Sequence, residues 1–339
     1  FLGTNPHFHK SALSRYTPWD FLDLVNAHGI AWHEKAAGQL FCDGSARQIV
    51  RLLLDEAAPT PVWLSTRLVD LRHDGTRFVA ELEREGIRHS IRARNLILAT
   101  GGKSIPKMGA TGLAYDIAQQ FGHQITDTRP GLVPFTFPDG RFKAISGVAT
   151  PVRATADGPS FDDALLFTHR GISGPAILQI SSYWQAGRPI HIDLLPDTDL
   201  TTHLHNARKT MGKRQVGTWL STLLPDRLVA YLADTTALPA ATLTQTLGDL
   251  SRTGLETLDA ALHHWRITPQ GTEGYRTAEV TLGGIATDGI DSKTLMSRHQ
   301  SGLYMVGEAV DVTGWLGGHN FQWAWASGAA AGRAIAASL

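Results

Sequence analysis

The chain has 339 residues, 42% hydrophobic and 18% charged, the balance of a globular protein with more than one core. Its 31 Lys and Arg equal its 31 Asp and Glu, so no global field draws it to nucleic acid or to an anionic membrane. One cysteine, Cys42, excludes an internal disulfide and points to a reducing, cytoplasmic setting, and no apolar run is long enough to span a bilayer.

The front of the chain is α/β. Thr17 and Pro18 predict a helix start that carries Trp19, Phe21, Leu22, Leu24 and Val25 and stops near Gly29. A strand is expected over 30–36, then a second helix over 43–58 with Ile49, Leu52 and Leu53 on one side. Four short strands follow between Val62 and Thr100, with hairpin turns at Asp74-Gly75 and Glu85-Gly86. "LILATGG" (96–102) is an apolar strand that ends in Thr-Gly-Gly, and a helix is expected over 110–123. A strand, a tight glycine turn and a helix form the local shape of a nucleotide-binding edge.

Strands and turns predominate from Arg129 to Asp197, with one helix that begins at Pro175. Residues 199–264 read as mostly helical, with "TTALPAATLTQT" as a linker between helices, and a strand returns at Glu279. The C-terminal "GLYMVGEAVDVTGWLGGHNFQWAWASGAAAG" combines an apolar strand, Glu308, a glycine-rich loop and a helix of small residues. An acid at the carboxyl end of such a strand is placed to accept hydrogen bonds from sugar hydroxyls. Asn320 is the expected helix N-cap, and the helix start suits phosphate or the anionic edge of a reduced flavin. Trp323 and Trp325 are expected to pack the helix.

Four stretches in order, "RNLILATGGKSIPKMGATGLAYDIAQQFGH", "LLFTHRGISGPAILQISSYW", "RTAEVTLGGIATDGID" and the C-terminal one, resemble the BaiN-like flavoproteins, also called the aminoacetone-oxidase family. The resemblance covers essentially the whole chain. It implies a Rossmann-like α/β domain that binds FAD, of the glutathione-reductase type, with an inserted β-rich domain and a small helical domain inserted in turn. The implied boundaries are 1–128 for the first part of the FAD domain, 129–197 and 266–285 for the β-rich domain, 198–265 for the helical insertion, and 286–339 for the end of the FAD domain. By the same resemblance Thr100, Gly101 and Gly102 form one FAD motif and Gly307 and Glu308 another, while Gly317, Gly318, His319, Asn320 and Phe321 form the loop and helix start under the flavin.

The family's first strand and G-x-G-x-x-G are missing, and no Gly-x-Gly occurs in the chain, so the expectation is of a chain short at its front. The implied activity is hydride transfer through flavin N5 on a small organic substrate, with NAD(P)H, bound transiently, or oxygen as redox partner. The alternative is a non-catalytic fragment or degenerate nucleotide-binding module. His169 and Arg170, read as lying just ahead of the helix at Pro175, are the candidate catalytic pair: two cationic side chains there oppose the helix dipole and call for an anionic ligand. Arg276, Glu279 and Thr281 fall on a strand that resembles one lining the active side, with Glu279 expected as partner to a nearby Arg. No metal is expected, because His263 and His264 are adjacent in a helix and point apart. The balanced charge and absence of a basic stripe argue against a nucleic-acid partner.

Overall fold

The computed structural model describes residues 1–35, 38–235 and 238–338. The end of the expected strand over 30–36, two residues of the expected linker (236 and 237) and the last residue of the chain lie outside the described residues. The chain forms two compact units, one of residues 1–129 and 281–339, the other of residues 130–280.

In the first unit, Thr17 caps the helix Pro18–Ala27 through a capping box with Asp20, and Phe21, Leu22 and Val25 turn inward. Trp32–Glu34 pairs antiparallel with Leu40–Cys42. The helix Arg47–Glu56 buries Leu52, whereas Leu53 stands 41% exposed, so the apolar side expected of this helix is narrower than its composition suggests. Thr66–His73, Phe78–Arg84 and Ile87–Ala93 form an antiparallel meander. The Asp74 carboxylate accepts the backbone N–H groups of Thr76 and Arg77, which closes the first hairpin turn as expected from Asp-Gly.

Leu96–Leu98 lies parallel to Leu303–Met305, with Leu98 opposite Met305. Two strands 207 residues apart in sequence, from 98 to 305, thus end side by side, and their carboxyl ends define the site described below. The helices Leu113–Gln120 and His319–Ala336 share one core with them through Ala114, Ile117, Leu303, Met305, Trp323 and Ala326. Small residues on the last helix let its backbone approach the strands.

The second unit is a seven-stranded antiparallel sheet in the order 265–267, 190–193, 149–155, 160–167, 171–173, 135–136 and 271–272. Thr150, Val152 and Ala154 alternate inward along one strand, as a half-buried strand requires. Helices between Leu200 and His263 close over this face, and a single apolar cluster joins Val152, Leu165 and Phe167 to Leu204, Trp219, Leu228 and Leu262. His263 Nδ1 lies 2.9 Å from the Asp193 carboxylate, which ties the last of these helices to a strand.

His123 fixes the turn that leads into Leu303–Met305. Its Nε2 is 2.7 Å from Ser297 Oγ, and that oxygen also accepts the N–H groups of His299 and Gln300. His123 Nε2 and the Ser297 hydroxyl are thus joined by one hydrogen bond, while Nδ1 is buried with no hydrogen-bond partner among the described residues. Burial, with His299 as a second cause, pushes His123 down from 6.5 to about 4. The unfolded imidazole takes a proton near 6.5 and the folded one does not, so stability present above 6.5 drains away as the pH falls toward 4. Chemical denaturation at about pH 7 and about pH 5 should show the chain losing about 2 kcal/mol more than its His123→Gln variant loses.

Candidate functional site

Two parallel strands leave the sheet at Leu98 and Met305, and the Val306 N–H still donates to the Leu98 carbonyl. Beyond that bond both chains turn through glycine. Gly101 has φ +71 and Gly307 φ +64, left-handed values that a side chain resists. Gly102 is needed for a different reason: a Cβ there would stand 2.4 Å from Thr281 Oγ1 and 2.9 Å from Glu308 Oε1.

Gly307 is held from both ends of its residue. Its N–H donates to Ser327 Oγ at 2.9 Å, and its carbonyl accepts Trp323 Nε1–H at 2.9 Å. Trp323 and Ser327 are one helical turn apart and present both groups from one face of the last helix. Trp323 therefore packs, as expected, and also orients the strand end.

Glu308 is half-buried next to this clamp. Its Oε1 accepts the Thr281 N–H at 2.6 Å. Its Oε2 lies 3.6 Å from the point where a Cβ on Gly101 would stand, so that oxygen faces the other strand end. Thr281 is fully buried, and its Oγ1 accepts the Lys103 N–H at 2.8 Å and lies 3.1 Å from Ser104 Oγ. Lys103 Nζ donates to Thr128 Oγ1 at 2.9 Å. Thr100, Gly101, Gly102, Gly307 and Glu308 are thus brought together, with Thr281, Lys103 and Ser104 as additional parts. Sequence reading placed Thr281 on a strand near the site but had no means of joining it to Gly102.

The glycine loop is braced differently from the expectation. Asn320 is not the N-cap of the last helix; Gly318, with φ +88, holds that position. The Asn320 side chain instead spans the loop, accepting the Gly314 N–H at 2.7 Å and donating to the Gly314 carbonyl at 2.9 Å. An amide that satisfies both groups of one peptide residue closes the loop as a backbone ladder would. Without a side-chain cap, the first amides of the helix stay available to an anion. His319 and Phe321 are exposed at this end, and Phe321 stacks on Trp325, which stacks on Phe21 at 3.4 Å.

His169 and Arg170 belong to the second unit. The helix does begin at Pro175, but the strand Gly171–Ser173 lies between, so the pair occupies a hairpin turn and does not face the helix dipole. Arg170 lies 3.8 Å from Glu273, and His169 is exposed. Glu279 precedes the strand Val280–Leu282; among the described residues it forms no ion pair with an arginine, and burial alone raises its carboxyl above the ordinary value.

A pair of left-handed glycine turns, an acid with one oxygen turned to them and an uncapped helix start make a cradle for a ligand rich in hydroxyls with an anionic group. The residues fit a flavin dinucleotide in that sense. Ser327→Ala leaves the buried Gly307 N–H without a partner, and its cost should be about 1–3 kcal/mol in urea unfolding. The same change at the exposed Ser338 should stay within about 0.5 kcal/mol.

The chain matches the family model described as the HI0933-like protein Rossmann domain over residues 1–334. It is 49% identical over 333 residues to a protein named ribosomal RNA dihydrouridine synthase from Escherichia coli (strain K12), covering 96% of this chain and 81% of that protein. A protein of the same name from Haemophilus influenzae is 46% identical, over 96% of this chain and 82% of its own length. A 3-dehydro-bile acid delta(4,6)-reductase from Clostridium scindens is 28% identical, over 98% of this chain and 84% of its own. The paired strand ends and the glycine cradle are features of a Rossmann-like nucleotide site, and the chain belongs to the HI0933-like Rossmann-domain family.

Proposed function

We propose that this protein is an FAD-dependent reductase of a carbon–carbon double bond conjugated to a carbonyl, and that uracil in ribosomal RNA is its substrate. The observation that carries the reading is the 49% identity, across 96% of the chain, to a protein named for dihydrouridine synthesis in ribosomal RNA. The more distant bile-acid relative supports the reaction class. Dihydrouridine is uridine with one hydrogen added at each of C5 and C6, and that double bond is conjugated to the C4 carbonyl. A reductase of a 3-oxo steroid with double bonds at 4 and 6 acts on the same kind of electrophile.

FAD held there would supply hydride chemistry for the conjugated bond, with NAD(P)H as its reductant. The chain's own residues supply position and charge. Glu308 Oε2 would accept a hydroxyl of the cofactor's sugar or ribityl chain. Gly101 and Gly102 let backbone approach the phosphates, since neither carries a side chain. The helix start at Gly318 would offer amide N–H groups and the positive end of the dipole to an anionic part of the cofactor. Asn320 holds the loop so that these donors are fixed before the reaction.

The expectation of a small organic substrate came from the family resemblance, and the argument against a nucleic-acid partner from balanced overall charge, which speaks to the sum and not to its distribution. The bile-acid relative favours a small conjugated ketone as a second reading.

The test is a reaction of the FAD-loaded protein with NADPH and unmodified ribosomal RNA, followed by digestion and mass spectrometry of the nucleosides. Dihydrouridine at a defined position is the expected product. A flavin-loaded protein that oxidises NADPH with a small enone and leaves ribosomal RNA unchanged would establish the second reading instead. A folded protein that takes up no flavin would overturn both.

A further inference from the structure

The second unit carries a concentration of positive charge that the zero net charge conceals. Between Leu200 and Pro225 the chain has Arg208, Lys209, Lys213 and Arg214, with His203 and His205, and no Asp or Glu. The helix Leu200–Met211 turns Leu200, Leu204 and Ala207 into the core. His203, His205, Arg208, Lys209, Lys213 and Arg214 are all exposed.

Helix stability accounts for only part of this. Arg208 and Lys209 stand in the last turn, where cations complement the helix dipole. Arg208 is also used internally, since its guanidinium donates to the carbonyls of Leu247, at 2.7 Å, and Leu250. Lys213 and Arg214 lie past the end of the helix and gain nothing from it. Arg214 reaches only the Met211 sulfur at 3.3 Å, and Lys209 and Lys213 form no ion pair among the described residues. Several arginines elsewhere are paired with acids, Arg51 with Asp55, Arg67 with Glu83, Arg153 with Asp162 and Arg252 with Glu256, while the exposed Arg47, Arg88 and Arg94 form no ion pair among the described residues.

The cations stand on fixed backbone. The Leu247 N–H donates to the Arg214 carbonyl at 2.8 Å and the Gly248 N–H to the Gly212 carbonyl at 2.9 Å, so the turn is stitched to the neighbouring segment. The acid on that segment, Asp249, accepts the Thr246 hydroxyl at 2.7 Å. Asp199 caps the opposite end of the helix.

We infer that Lys209, Lys213 and Arg214 form the surface that holds the phosphodiester backbone of the RNA substrate. The inference rests on ribosomal RNA being that substrate. Lysine-rich charge without exposed aromatic rings in the same segment suits phosphates rather than bases: it contributes affinity and leaves sequence choice to other parts.

The experiment is salt-dependent binding of the full chain to protein-free ribosomal RNA, measured by filter retention, for the unaltered chain, for Lys209→Gln/Lys213→Gln/Arg214→Gln and for the charge-preserving Lys209→Arg/Lys213→Arg/Arg214→Lys. The neutral variant should bind at least about tenfold more weakly, with a log–log salt slope shallower by about 2, while the charge-preserving variant binds as the parent does. Circular dichroism of each variant establishes that it is folded. Equal binding and equal slopes for parent and neutral variant would overturn the assignment and leave the RNA reading intact. No RNA binding by the parent would overturn the RNA reading and this surface together.

Discussion

The clamp on Gly307 is the contact on which the site depends. Trp323 and Ser327 hold its carbonyl and its N–H from the same face of the last helix. Because Glu308 is the next residue, its carboxylate is aimed by that clamp before any ligand arrives, and the Thr281 N–H completes the aim. Thr281 in turn receives the Lys103 N–H, so the second strand end is referred to the same point. A cradle made of backbone and one carboxylate has few rotatable bonds to order on binding, which is the physical content of preorganisation here.

Local chemistry made some of this legible in the sequence. The Thr17–Asp20 box, the Asp-Gly turn at 74–75 and Pro175 are signals whose cause and effect lie within four residues, and the structure shows each of them. The two glycine turns were legible for the same reason, since each apolar strand runs within three residues into glycine, Leu98 to Gly101 and Met305 to Gly307. Lys103 and Thr281 are 178 residues apart, and nothing in either neighbourhood announces the other. Asn320 illustrates the opposite error: its position before a helix suggested a cap, but the loop placed Gly318 at that position and drew the amide onto Gly314. His169 and Arg170 were misplaced for a similar reason, because a strand of three residues, 171–173, is too short to show a period.

Charge was the least legible property. Equal numbers of acids and bases describe the far field of the chain, and they conceal a helix and turn where no acid occurs between residues 200 and 225. A nucleic acid is held at contact distance, within about 10 Å of screening at moderate salt, so the local distribution governs. The strand ends lie in the first unit and the acid-free segment in the second.

The most direct measurement is the visible absorbance spectrum of the purified protein, and of its Glu308→Gln variant, after incubation with FAD and gel filtration. If the strand ends are the flavin cradle, the parent retains a flavin spectrum and the variant binds FAD at least about tenfold more weakly, because a charge-assisted hydrogen bond is lost while the fold is kept. A parent that is folded and free of flavin, or a variant that retains it equally well, would contradict the assignment of this site.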